Sequence, residues 1–97
     1  MAAVKEIYEA LNLWAPFGIQ MDFDNAGFLV GRKNREVKKI LVSLDITAEV
    51  AREAVEWGAQ LVVSHHPVIF HPVKSVTDED NTGRTLLELV EGRVAAI

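Results

Sequence analysis

Apolar residues along this chain recur in two rhythms, one helical and one of short unbroken runs. Val4, Ile7, Tyr8 and Leu11 fall at helical spacing, with Lys5, Glu6 and Glu9 on the other side. The opening segment therefore reads as an amphipathic helix, ended by Pro16 and Gly18. From Phe17 to Gly31 the sequence is loop-like, with room for a short strand at Phe28-Leu29-Val30. Arg32-Lys33-Asn34-Arg35-Glu36 is polar and turn-like. Ile40-Leu41-Val42-Ser43-Leu44 is a nearly continuous β-rich run, the pattern of a strand buried on both faces.

A second helix follows at once. Thr47 suits its N-cap, Glu49 suits the positive end of its dipole, and Gly58 supplies the stop. Val50, Ala51, Ala54, Val55 and Trp57 form its apolar side. Leu61-Val62-Val63 is a second buried strand, running straight into Ser64-His65-His66-Pro67. Strand, helix and strand at this spacing make a βαβ unit, which requires parallel strands and a right-handed crossover. Val68 to Asp80 is a long irregular loop, Thr85 to Glu91 is helical with Gly92 as its stop, and Arg93 to Ile97 begins another strand. The expected class is α/β: a layered sheet built on a βαβ unit with flanking helices. Residues 1–97 read as a single partial domain, the amino-terminal portion of a larger fold, since the sequence stops as a strand begins.

Composition narrows the function. The chain is 49% hydrophobic and 25% charged with no low-complexity run, which excludes a disordered segment. A net charge of −4 argues against a nucleic-acid surface, where a clustered basic excess is needed. Arg32, Lys33, Arg35, Lys38 and Lys39 are close in sequence, but Glu36 interrupts them and no aromatic residue is interleaved, so a solvated turn is the simpler reading. The first residues show no secretory pattern and no apolar run could span a bilayer, so the expected setting is cytoplasmic, without a membrane partner. With no cysteine present, any metal must be held by nitrogen and oxygen.

The residues able to do chemistry gather at one rim. In parallel α/β sheets, ligands collect beyond the carboxyl ends of the strands. Asp45 ends the first strand of the βαβ unit, and His65 with His66 ends the second. Imidazoles with carboxylates suit zinc, iron, manganese, cobalt or nickel, and the sequence does not distinguish among them. Adjacent histidines in an extended segment face opposite ways. They converge on one ion only if the chain bends after the strand; otherwise each serves a different ion. Asp45 has two readings, a ligand or an acceptor that orients a histidine, and a residue shaping the helix entry. His71, in the loop, reads as a solvated residue or one that supports a ligand from behind, rather than a ligand itself. Ser64 is set aside as a nucleophile, because neighbours on a strand do not face each other. Trp14 and Trp57 read as core or interface residues, and Asp24-Asn25-Ala26-Gly27 as a turn in which Asn25 or Gly27 takes a positive φ.

Three strings together resemble a known family. Asp24-Asn25-Ala26-Gly27-Phe28-Leu29-Val30-Gly31 is similar to its Asp-Asn-Val-Gly-Leu-Leu-Val-Gly motif, with Ala26 and Phe28 departing from the usual residues. Leu44-Asp45-Ile46-Thr47 resembles its Leu-Asp-x-Thr, and Gly58 to Phe70 resembles its Gly-Ala-Asp-Leu-Ile-Ile-Ser-His-His-Pro-Leu-Ile-Phe. The family is that named for GTP cyclohydrolase I type 2 and for NGG-interacting factor three. The resemblance implies divalent metal ions, two per full-length chain, with His65 and His66 as ligands. It further implies an aspartate beyond residue 97 and a later His and Glu as the remaining ligands, and a toroidal homo-hexamer. The implied activity is that of a metal-dependent hydrolase, GTP cyclohydrolase I type 2-like; the alternative is a non-catalytic metal-binding or interaction scaffold. The small-molecule substrate is not legible, and these 97 residues alone are expected to be inactive.

Overall fold

Leu61 and Val62 are fully buried, and the strand they open is the middle of the main sheet. The computed structural model describes residues 2–14, 25, 27–69 and 71–97. Within them the order is β1 (Ala2–Ala3), α1 (Val4–Trp14), β2 (Glu36–Val37), β3 (Ile40–Ser43), α2 (Ala48–Trp57), β4 (Leu61–Ser64), α3 (Asn81–Glu91) and β5 (Ala95–Ala96). The main sheet runs β3-β4-β5, all parallel, while β1 and β2 form a small antiparallel pair. The expected βαβ unit is present as β3-α2-β4, registered from Ile40 opposite Leu61 to Ser43 opposite Ser64. Val30 makes an isolated antiparallel bridge to Ala96, which is all that forms of the expected strand at Phe28–Val30.

Local chemistry sets the ends of the helices. Thr47 Oγ1 accepts from the Val50 amide at 3.1 Å, and Gly58 closes α2 in the left-handed region at φ 84°. At α1, the Glu6 carboxylate reaches back to accept from the Ala3 amide at 3.0 Å. Asp80 caps α3 by accepting from the Gly83 amide at 2.6 Å, so this helix begins a full turn before the apolar run that predicts it. The end predicted for α1 at Pro16 and Gly18 lies outside the described residues, as does most of the loop from Phe17.

Two cores sandwich the sheet. On one side Val62 and Ala96 pack with Ala51 and Ala54 of α2 and Leu86 and Leu89 of α3. The small alanines let α2 sit close to the strands. On the other side Leu61, Ala95 and Ile97 meet Val4, with Ile7, Tyr8 and Leu11 of α1 around it. That second cover is incomplete. Val42 is 74% exposed and Leu44 62%, so β3 is not the strand buried on both faces that its apolar run suggests. As the edge strand it packs inward only through Leu41. The tryptophans are not core either: Trp14 is 85% exposed, and Trp57 lies on the surface with the Lys39 ammonium 5.2 Å from its ring centre.

Candidate metal centre

The bend required to bring two adjacent histidines together is present. β4 ends at Ser64, and His65 and His66 lie in a bend beyond it, with ring centres 4.9 Å apart and planes inclined by 55°. Backbone bonds hold the bend against β3: the His65 amide donates to Ser43 O at 3.2 Å and the His66 amide to Leu44 O at 2.9 Å. Ser64 Oγ donates to His66 O at 2.6 Å, so its hydroxyl serves the turn.

Asp45 joins the pair. Its Oδ1 lies 2.6 Å from His66 Nδ1, with both side chains more than half exposed. The histidines directly follow the central strand, which is paired on both sides, and their rings reach solvent. Asn25 adds a contact that the sequence reading missed: its Nδ2 donates to Ile69 O at 2.7 Å, tying the segment after Pro67 to the earlier loop. The only hint was the place of Asn25 in a motif. The positive φ of that turn falls on Gly27, at 138°. Beside the site, Ile46, Thr47, Glu49 and Val68 help to line an open cleft of about 530 Å³ between the starts of α2 and α3.

Two neutral imidazoles, one of them backed by a carboxylate, are donors that a borderline divalent ion accepts. They fit such an ion as a partial set. Among the described residues, no group of three or more His, Asp or Glu side chains is placed to hold one. His71 is exposed in the loop and completes no such group. Among the basic residues from Arg32 to Lys39, the Arg35 amide donates to Arg32 O in a turn, and Lys39 Nζ donates to Trp57 O.

Residues 2–97 match the family described as Duf34/NIF3 (NGG1p interacting factor 3). The chain belongs to that family. Over all 97 residues it is 40% identical to GTP cyclohydrolase 1 type 2 of Helicobacter pylori, spanning 39% of that protein's length. It is 38% identical over 80 residues to a GTP cyclohydrolase 1 type 2 homolog of Clostridium perfringens, covering 82% of this chain and 30% of the relative. The Staphylococcus aureus protein SA1388 superposes with a TM-score of 0.92 at 32% identity, over 99% of this chain and 27% of that one. Reduced HcgD from Methanocaldococcus jannaschii gives 0.87 at 28% identity, over 98% of this chain and 38% of that one. The β3-α2-β4 unit and the bend after it are therefore parts of a family fold that extends over a longer chain in these relatives. Among the described residues, no helix is long and apolar enough to cross a membrane.

Proposed function

We propose that this chain supplies part of a divalent-metal site, with His65 and His66 as ligands, in a cytoplasmic metal-dependent hydrolase of the GTP cyclohydrolase I type 2 kind. The observation carrying this reading is the pair of imidazoles turned together at the carboxyl end of a central parallel strand. The family match to proteins named GTP cyclohydrolase 1 type 2 supports the reaction class. Two metal ions per full-length chain remain the proposed stoichiometry, the other ligands coming from beyond residue 97. A bound ion would act as a Lewis acid, activating water and polarising the bond to be cleaved. The residues of this chain bind and orient: His65 and His66 each offer a ring nitrogen, and the backbone bonds from their amides to β3 hold the bend that carries both rings.

The test is a turnover screen of the metal-loaded full-length protein on nucleotides, phosphodiesters and cyclic amides. Activity lost on chelation and regained with metal is the expected result. Absence of turnover on every class would leave the second reading, a non-catalytic interaction scaffold.

The apolar outer face of β3 favours association whichever reading holds. We propose that it meets a second copy of the chain. Antiparallel pairing of two β3 edges about Val42 sets Ile40 of one copy opposite Leu44 of the other, so apolar positions meet apolar positions. Val42→Lys places two like charges at the centre of that pairing. It is expected to shift the chain from dimer or larger to monomer in size-exclusion chromatography with light scattering; a wild-type chain already monomeric at high concentration would refute the interface.

A further inference from the structure

We infer that Asp45 is the positioning residue of His66, holding its ring through Nδ1–H and leaving Nε2 as the ligating nitrogen. This rests on the metal reading above and specifies which atom of His66 serves it. The strand register explains why these two residues meet. Ser43 and Ser64 are paired across β3 and β4, and each hydroxyl donates to the carbonyl two residues further on, Ser43 Oγ to Asp45 O at 2.8 Å and Ser64 Oγ to His66 O at 2.6 Å. The two strands thus end in the same bend side by side. Asp45 and His66 occupy equivalent places in it, which sets Oδ1 against Nδ1 at 2.6 Å.

The competing role for Asp45, shaping the entry to α2, is already filled by Thr47, whose Oγ1 takes the cap bond. An ionised carboxylate only accepts, so the ring nitrogen facing it must carry the proton. Nε2 then keeps its lone pair, and the carboxylate makes it a more basic donor while fixing the ring's orientation. Leu44, the residue opposite His65 in the duplicated bend, has no such group. Among the described residues the two histidines are therefore unequal: a carboxylate holds the His66 ring, and no carboxylate faces His65.

Long-range ¹⁵N–¹H correlation spectra of the metal-free chain, with the rings neutral, read the tautomer directly. His66 is expected as the Nδ1–H form in the wild type. Asp45→Asn, which can offer an N–H of its own, should drive it to the Nε2–H form. An Nε2–H wild type, or a tautomer unchanged in Asp45→Asn, would overturn the inference, and the wild-type spectrum decides even if the variant folds poorly. Titration with Ni²⁺, followed by broadening of the ring signals, supplies the second readout. Asp45→Ala is expected to raise its midpoint about 10–100-fold. Broadening of the ring signals that persists unchanged in His66→Ala would instead defeat the metal reading, and with it the ligating role of Nε2, while the tautomer result would stand apart.

Discussion

Replacing both His65 and His66 with Ala is expected to abolish divalent-metal binding. A four-ligand structural zinc site is worth roughly 10–16 kcal/mol, so each ligand contributes on the order of 3 kcal/mol, or roughly 100-fold in affinity. Losing one imidazole should thus weaken binding by about that factor, and losing both should leave no measurable uptake. Both side chains lie beyond β4 in an exposed bend, and their backbone amides, which carry the bonds to β3, survive the substitutions. The melting temperature without metal should therefore hardly move. Isothermal titration with Ni²⁺ or Zn²⁺, paired with thermal melting, checks both halves. Metal uptake by the double variant equal to the wild type would remove these residues from the site.

Gly31→Ala should be among the most damaging single substitutions in the chain, costing about 2–6 kcal/mol. Gly31 has φ 116°, a region side chains rarely adopt, at a cost of about 1–3 kcal/mol. An added Cβ would also lie 2.6 Å from Ala95 Cβ and 2.8 Å from its Cα, forcing β5 off β4 or Val30 off its bridge; such overpacking costs about 1–3 kcal/mol more. Gly27 offers the control. Its φ of 138° is as unusual, but among the described residues its Cβ would meet only Tyr8 Cε1 at 3.9 Å, an ordinary contact. Gly27→Ala should therefore cost only the backbone part. Chemical denaturation of both variants measures the difference, and equal losses would show that the closeness of Ala95 is unimportant. In a domain of this size the larger loss lowers the melting temperature by on the order of 15 °C or more.

The parts of this structure that follow local rules were legible in the sequence. Thr47 capping α2, Gly58 in the left-handed turn and the unbroken run at Leu61–Val63 each act within a few residues, and together they gave the βαβ unit and the rim where the histidines stand. Two-residue pairings such as β1 with β2 leave no periodicity to read. The first turn of α3 was hidden because Asn81 and Gly83 are poor helix formers; Gly83 is there because a Cβ would lie 1.9 Å from Thr77 O. The exposure of Val42 and Leu44 was also hidden, since an apolar run looks the same whether the strand is central or at the edge. For Asp45 the sequence left two roles in balance. Strand register, a property of the paired strands, is what put it against His66.

The cover that α1 provides has a consequence for how the chain is made. Val4, Ile7, Tyr8 and Leu11 are synthesised well before Leu61, Ala95 and Ile97, yet they pack on them. At roughly 5–20 residues per second, that apolar helix face waits on the order of ten seconds for its partners to emerge. The Val30 bridge to Ala96 waits as long. The neighbouring pieces need no such delay: α2 follows β3 directly, and β4 completes the unit soon after. Nascent chains should therefore bury the βαβ unit first and carry an uncovered α1, which makes this helix face the part most in need of a chaperone during translation.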